Sequence, residues 1–313
     1  MYVIKTNEAP TEADIEWLER LKDSNVPTLL LLNEVDGISG KSYLGDHRDL
    51  ALYGATLAMA DITDKASRRD LLETLSKMKP VDDEEQTLLE GIIEAGDIMV
   101  LVCPIDSAAP KGRLILPQVQ MIREVLDYKG MAYVSQVEEL ETLLASLKQK
   151  PKLVITDSQA FDEVSQMVPT DIPLTSFSIL MARFKGKLKD LVQGVRAIHN
   201  LKPGSKVLIS EGCTHHRQCD DIGTVKIPMW LKKKGYTDLE LEWTSGGQFP
   251  QDVSAYDLII HCGACMLTRR EVLRRIDVAY LQGVPIVNYG VLIASLHGIL
   301  ERAIAPFEQE IEG

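Results

Sequence analysis

Short apolar runs alternate with longer amphipathic stretches along the whole chain. The apolar runs are about five to eight residues long, which is typical of strands buried on both faces, and the amphipathic stretches have the length of covering helices. Repetition of strand and helix in this order predicts an α/β fold built from consecutive parallel-sheet domains with flanking helices. Strands are predicted at 2–5, 26–32, 55–60, 97–105, 131–135, 152–156, 173–178, 206–210, 239–243, 257–261 and 284–288.

The amphipathic stretches predict nine helices and three blocks of chain. Helices are predicted at 11–22, 67–78, 115–128, 137–148, 159–167, 180–199, 227–234, 268–281 and 291–305. A charged stretch with a proline at 79–85 and a Pro203-Gly204 turn interrupt the pattern, as domain boundaries do. We therefore predict domains at 1–79, 80–200 and 201–313.

Composition narrows the classes of partner. The 313 residues carry a formal net charge of −12, and no basic run is present that would bind a phosphate backbone. The longest apolar runs, 29–32 and 98–103, are far too short to span a bilayer. The first residues lack the basic start and apolar segment of a signal peptide. We expect a cytoplasmic protein that binds neither nucleic acid nor membrane.

Cysteine placement gives the first indication of chemistry. Of the five cysteines, Cys213, Cys219, Cys262 and Cys265 fall within one stretch, 213–265. Cytosolic thiols stay reduced, so clustered cysteines indicate metal or redox chemistry more often than disulfides. The fifth, Cys103, lies in an apolar strand and is expected to be a buried small hydrophobic residue.

Two short clusters combine these cysteines with histidines. Cys213-Thr214-His215-His216 and His261-Cys262-Gly263-Ala264-Cys265 each follow an apolar strand directly. Ligands of open α/β sheets bind at the carboxyl ends of strands, so the two clusters face one crevice if their strands are neighbours. We therefore expect the site at the carboxyl ends of these strands.

The pattern alone leaves the occupant of this site open. Thiolates select zinc or iron–sulfur clusters over Mg²⁺ or Ca²⁺, and three cysteines with one histidine also suit a structural zinc site. A dithiol without metal is a third reading. Cys219 is either a further ligand or a bystander. A cluster-dependent redox enzyme with a pocket formed by Lys111, Arg113 and Asp157 is the alternative to a binding protein.

At these clusters the sequence resembles the HydF family, the maturation GTPases of [FeFe]-hydrogenase. The family signature is Cys-x-His, a gap of about 45 to 50 residues, and His-Cys-x-x-Cys; here 45 residues separate His215 from His261. Segments at 104–106, 109–113, 117–119, 152–159, 221–228 and 288–291 resemble the family as well. The resemblance covers residues 80–313 well and residues 1–79 loosely.

The resemblance implies a function and a set of ligands. It implies a [4Fe-4S] cluster held by Cys213, Cys262 and Cys265, with His261 and His215 alongside and an open iron position. Candidates for that position include these histidines and the carboxylates of Glu211, Asp220 and Asp221. The implied role is a scaffold and carrier of a diiron precursor. The implied partners are apo-[FeFe]-hydrogenase, the radical maturation enzymes and a second copy of the chain, paired through the middle block.

The sequence departs from the family in its first block. HydF proteins begin with a GTPase domain, whose phosphate loop needs G-x-x-x-x-G-K-[ST]. Gly40-Lys41-Ser42 imitates this motif, but Val35 stands where the first glycine is required. Asn33-Glu34-Val35-Asp36 resembles the guanine-reading Asn-Lys-x-Asp, so Asn33 and Asp36 are vestigial nucleotide-binding candidates. We expect GTP as a cofactor only of a complete family member and no GTP hydrolysis by these residues.

Overall fold

A computed structural model describes residues 1–23, 27–78, 87–105, 112–212 and 221–312. The chain forms two compact units, Met1–Glu85 and Gln86–Gly313. In the described residues, eleven strands form three parallel sheets flanked by helices, which confirms the predicted fold class. The boundaries of three domains stay a prediction.

The first unit is a three-stranded sheet with helices on both faces. Its strands are β1 (Tyr2–Lys5), β2 (Leu29–Asn33) and β3 (Thr56–Ala60), in the order β1-β2-β3. Its helices are α1 (Glu12–Asp23), α2 (Gly40–Asp46) and α3 (Lys65–Lys77). Because side chains alternate along a strand, Leu30 and Leu32 enter one apolar cluster and Leu29 and Leu31 enter another.

The second unit contains two four-stranded sheets around one continuous apolar core. The middle sheet has the order β5-β4-β6-β7, with β4 (Ile98–Val102), β5 (Met131–Ser135), β6 (Leu153–Thr156) and β7 (Leu174–Ser176). Its helices are α4 (Leu116–Asp127), α5 (Leu140–Ser146), α6 (Phe161–Met167) and α7 (Phe177–Lys185).

The last sheet has the order β11-β10-β8-β9. Its strands are β8 (Lys206–Glu211), β9 (Glu240–Ser245), β10 (Leu258–His261) and β11 (Ile286–Asn288). The helices are α8 (Leu188–Val195), α9 (Ile227–Lys233), α10 (Arg269–Leu281), α11 (Tyr289–His297), α12 (Leu300–Ile304) and α13 (Glu308–Glu312). Strands β8 and β10 are parallel neighbours, with Ser210 opposite His261.

The two sheets of the second unit share one topology. In each, the first strand lies between the second and the third, and the fourth lies outside the third. The strand order therefore reverses between β4 and β6 and again between β8 and β10. Ligands of open α/β sheets bind at the carboxyl ends of strands at such a reversal. The sequence contains no repeat strong enough to reveal this shared topology.

Helices α7 and α8 join the middle sheet to the last one. Ser178 of α7 accepts a hydrogen bond from the Asn288 side chain at 3.2 Å and one from the main-chain N–H of Gly290 at 3.1 Å. Gly194 lets α8 lie directly on β11, because a Cβ there would stand 1.9 Å from the carbonyl oxygen of Ile286. Helices α7 and α8 thus pack against the last sheet at β11.

Two predicted helices are each divided into two in the structure, and one observed helix was not predicted. The single helix predicted at 180–199 is two helices, because the backbone turns at Gly186, close against the Ala182 carbonyl. The helix predicted at 291–305 is interrupted at Gly298, whose left-handed φ of 76° ends α11. Helix α2, which begins at Gly40, was not predicted. Its cap, Ser39, accepts a hydrogen bond from the main-chain N–H of Ser42 at 3.3 Å.

Candidate metal centre

The loop after β10 carries Cys262 and Cys265 at the reversal between β8 and β10. We call residues 262–267 the cysteine loop. The main-chain N–H groups of Gly212 and Ala264 donate to the Sγ of Cys262 at 3.0 and 3.3 Å. Ala264 has φ 55°, a left-handed conformation that turns the loop back toward the sulfur. Both cysteines are half-buried. Two main-chain hydrogen bonds therefore hold the sulfur of Cys262 at the end of β10.

A lysine from helix α7 binds the main-chain carbonyl groups of the cysteine loop. Lys185, the last residue of α7, is buried and donates to the carbonyl oxygens of Ala264, Cys265 and Leu267 at 3.0, 2.8 and 2.7 Å. Three carbonyl acceptors use all three N–H bonds of a protonated ammonium. Burial lowers the pKa of Lys185, while the nearby Cys265 and Cys262 act to raise it.

His261 lies behind the loop with both ring nitrogens engaged. Its Nδ1 lies 2.9 Å from the carbonyl oxygen of Cys262, and its Nε2 lies 3.1 Å from Nη1 of Arg275. A carbonyl accepts and a guanidinium donates, so Nδ1 carries the proton and Nε2 accepts. Burial lowers the pKa of His261 to about 4, which keeps the ring neutral. Ligation of iron would require His261 to leave one of these partners.

Arg275 is a buried cation that sequence reasoning missed. It is 1% exposed, and it donates to Glu271 at 2.8 Å and to the Gly246 carbonyl at 2.6 Å besides His261. Hydrogen bonds from Arg274, then those from Arg275, lower the pKa of Glu271 to about 2 against the cost of burial. An arginine in an amphipathic helix ordinarily faces water, so the sequence offers no signal for this one.

The carboxylates proposed beside the site have different settings. Glu211, at the end of β8, is buried, and a Cβ on Gly223 would lie 2.6 Å from its Oε1 and 2.3 Å from the hydroxyl of Tyr289. Asp221 caps the π-helical turn Ile222–Lys226 by accepting from the main-chain N–H of Thr224 at 2.9 Å. Glu211 thus lies in a tight polar pocket, and Asp221 holds a local turn.

Several predicted residues are not placed together with Cys262. Cys213, His215, His216, Cys219 and Asp220 lie outside the described residues. Within the ranges that the structure does describe, no three His, Cys, Asp or Glu side chains form a group able to hold a metal ion. The structure therefore positions two of the three proposed cysteine ligands and leaves the ligand set a prediction.

Cys103 is a buried residue at the end of β4. Burial, with a smaller effect of Asp157, raises the pKa of its thiol to about 12. A thiol held protonated in this way is a poor ligand. Of the alternative pocket, Lys111 lies outside the described residues, Arg113 is exposed, and Asp157 accepts from the main-chain N–H of Gln159 at 3.0 Å.

Asn33 and Asp36, predicted to be vestigial nucleotide-binding residues, are hydrogen-bond partners of nearby groups in the first unit. The side-chain oxygen of Asn33 accepts from the main-chain N–H of Ile62 at 3.2 Å. Asp36 accepts from the side chain of Asn7 at 2.9 Å. Glu34, which stands where the guanine-reading motif has lysine, accepts from the main-chain N–H of Gly40 at 2.8 Å. Nucleotide binding by Asn33 and Asp36 stays a prediction.

In the part of the chain that the structure describes, no helix has the length and apolar content needed to cross a bilayer. Comparison with curated proteins gives no match. Among solved structures, the chain is similar to the ABC domain in complex with L-Trp from Streptococcus pneumonia. The identity is 13%, the TM-score is 0.22, and the match covers 70% of this chain and 86% of that one. A similarity this low says nothing about function.

Two family models match consecutive parts of the second unit. The hydrogen maturase F dimerization domain matches residues 88–186, and the hydrogen maturase F tetramerization domain matches residues 189–306. Together the two matches span most of the chain. The cysteine loop lies in the second matched segment, and Lys185 lies in the first. The chain therefore belongs to the hydrogen maturase F family, HydF, whose members take part in hydrogenase maturation.

Proposed function

We propose that this chain binds a [4Fe-4S] cluster through Cys213, Cys262 and Cys265 and acts in the cytoplasm as a scaffold and carrier for the diiron subcluster of [FeFe]-hydrogenase. One observation carries the proposal. The main-chain N–H of Gly212 donates to the Sγ of Cys262 at 3.0 Å, so the residue that precedes Cys213 in the sequence lies against the Cys-x-x-Cys loop. This contact supports a ligand set drawn from both clusters.

The chemistry of the donors fits an iron–sulfur cluster. Cysteine thiolates are the usual ligands of such clusters, and hydrogen bonds to their sulfurs help to set the reduction potential. Cys262 already accepts two N–H bonds, and the buried Lys185 places a positive charge beside the loop. A cluster held by three cysteines leaves one iron without a thiolate, which suits a carrier because a cargo can bind there and leave.

This chain's own residues then shape and support the site. Lys185 fixes the carbonyl groups of the cysteine loop, so the loop is formed before any cluster arrives. His261 links the Cys262 carbonyl to Arg275, and we propose that it positions the loop. Exposed Met266, between Cys265 and Leu267, leaves the outer side of the loop open to solvent, where a partner protein has access.

A serine series at the cysteines tests the ligand set. After anaerobic reconstitution with iron and sulfide, Cys213→Ser, Cys262→Ser and Cys265→Ser should each lose most of the bound iron, because each removes a thiolate ligand. Cys103→Ser is the matched control, since its thiol is buried away from the site and held protonated. Retention of the cluster in Cys262→Ser, or an equal loss in Cys219→Ser, would contradict the three-cysteine assignment.

A transfer assay tests the carrier role separately. The protein loaded with the diiron precursor is incubated with apo-[FeFe]-hydrogenase, and hydrogen evolution is followed. We expect activation by the wild-type chain and none by Cys265→Ser. A chain that holds the cluster but does not activate the hydrogenase would refute delivery while leaving cluster binding intact.

The family matches indicate oligomerisation, and we propose that the middle segment, residues 80–200, supplies the homodimer interface. Strand β5 is an edge strand in which Tyr133 and Val134 are exposed. Helix α4 packs beside it and exposes Leu116, Val119 and Leu126. An exposed apolar edge invites pairing with another chain, so a second copy is its expected cover.

Sedimentation tests this interface. Leu126→Glu should reduce the mass of the assembly at micromolar concentration, because it places a charge within the apolar surface. Leu72→Glu is the control, since Leu72 is equally exposed but lies on α3 of the first unit. An unchanged mass for Leu126→Glu, or equal dissociation of both variants, would rule out the middle segment as the dimer interface.

A further inference from the structure

Lys185 is a buried cation without a carboxylate partner among the described residues. Its Nζ makes three hydrogen bonds, all to carbonyl oxygens of the cysteine loop. Neighbouring cations are compensated differently: Arg183 pairs with Glu310 at 2.6 Å, and Lys187 pairs with Asp277 at 2.7 Å. The other buried cation near the site, Arg275, pairs with Glu271. Lys185 therefore stands apart in its electrostatics.

An uncompensated buried charge has a cost that hydrogen bonds alone do not explain. Moving an ammonium out of water is unfavourable by several kcal/mol even after relaxation, and carbonyl dipoles offset this only in part. The same carbonyl groups could be satisfied by water or by a neutral donor at lower cost.

The negative charge of the proposed cluster would balance the positive charge of Lys185. A [4Fe-4S] cluster with three thiolate ligands is a net anion, and it gains a further negative charge on reduction. A fixed positive charge nearby stabilises both forms and stabilises the reduced form more. Lys185 binds carbonyl groups of the same turn that carries Cys262 and Cys265. Its positive charge therefore lies beside the turn that holds these two proposed ligands.

We propose that Lys185 is a positioning and charge-compensating residue for the cluster, one that raises its reduction potential and strengthens its retention. This inference rests on the proposed function, since it requires a cluster on the cysteine loop. It also makes the site a product of both matched segments: Lys185 ends the segment that matches the dimerization domain, and the cysteines lie in the next one.

The test uses the full chain with Lys185→Met and Lys185→Arg, and Lys187→Met as the matched control. Lys187 is an exposed lysine two residues further on, so its replacement removes the same charge at the surface. Each reconstituted protein is titrated with dithionite as the electron donor, and the reduced cluster is followed by EPR. The iron content and the melting temperature of the apoprotein are measured beside it.

Lys185→Met is expected to lower the midpoint potential of the cluster by about 59 mV, which corresponds to about a tenfold change in the one-electron reduction equilibrium. Lys185→Arg should stay within about a third of that shift, and Lys187→Met should match the wild type. An unchanged midpoint in Lys185→Met would overturn the inference. If Lys185→Met holds no cluster, recovery of iron in Lys185→Arg supports a role of charge, and equal loss overturns it. Failure of the wild-type chain to bind iron would instead refute the proposed function.

Discussion

Arg275 offers the sharpest test of how the last sheet supports the site. In the described structure it connects three elements: it donates to His261 at the end of β10, to the carbonyl of Gly246 after β9, and to Glu271 on its own helix. Its guanidinium also lies 5.1 Å from the ring of Phe249. Replacement by Met keeps the apolar stem and removes every one of these hydrogen bonds.

The cost of Arg275→Met follows from the groups left behind. The Nε2 of His261 and the Gly246 carbonyl each lose a buried donor, at about 1–2 kcal/mol apiece. Glu271 keeps the fork of Arg274, at 2.8 Å to each oxygen, so its charge is not orphaned. Relief of the desolvation of the guanidinium offsets part of the loss. The two losses come to about 2–4 kcal/mol before this offset, so we expect a net destabilisation of about 2 kcal/mol.

Arg274→Met is the matched control. Arg274 pairs with the same carboxylate from the adjacent position, but its side chain is 39% exposed, so the loss should be at most about 1 kcal/mol. Urea unfolding of the apoproteins, followed by the fluorescence of Trp230 and Trp243, gives both values at constant m. Equal destabilisation of the two variants, within about 0.5 kcal/mol, would refute the assignment of Arg275 as the link between the strands.

Two further perturbations test the packing and charge of the second unit. Gly194→Ala should destabilise it by about 1–3 kcal/mol in urea unfolding, because the new Cβ meets the Ile286 carbonyl, whereas Gly247→Ala, with open space around it, should change little; similar values for both would contradict the close approach of α8 to β11. The carboxylate of Glu271 has a folded pKa of about 2, below its ordinary 4.5, so it contributes stability above pH about 4.5 that is lost as the pH falls toward 2. Glu271→Gln should therefore show a smaller loss of urea midpoint between pH about 6 and about 3 than the wild type, and identical losses would show that this carboxylate does not contribute.

Hydrophobic patterning predicted the sheets because their inner strands, such as β2, β4 and β10, are buried on both faces. Every predicted strand that the described residues cover corresponds to an observed one, from β1 to β11. Parallel strands buried under helices leave continuous apolar runs such as Ile98–Val102, and the short length of such a run favours a strand over a helix. The sequence analysis required β8 and β10 to be neighbours for the two clusters to share a crevice, and the register of the two strands meets that condition.

Turns and short helices were harder to predict because local chemistry decides them. Helix α2 has only seven residues, two of them glycines, and its existence depends on the Ser39 cap and on Gly40 fitting against Met59. A break such as the one at Gly298 depends on a single left-handed residue inside an otherwise helical pattern. Patterns of hydrophobicity carry no information about either feature.

The residues of the candidate site also fall into two groups, those that the sequence pattern marks and those that it does not. Spacing marked Cys262 and Cys265 as ligand candidates, and they follow β10 at the reversal of strand order. Lys185 and Arg275 were missed, because a charged residue in an amphipathic helix is usually solvated and no motif marks the exception. Each acts across a distance in sequence of 14 or more residues, 14 for Arg275 with His261 and 79 for Lys185 with Ala264. Only the fold brings them to the loop.

The content of iron and acid-labile sulfide in the anaerobically reconstituted chain tests the central claim most directly. We predict about four irons and four sulfides per chain, with the EPR signal of a [4Fe-4S] cluster after reduction by dithionite. One zinc ion per chain, without sulfide and without that signal, would show that the cysteine loop holds a structural metal ion and would contradict the scaffold role.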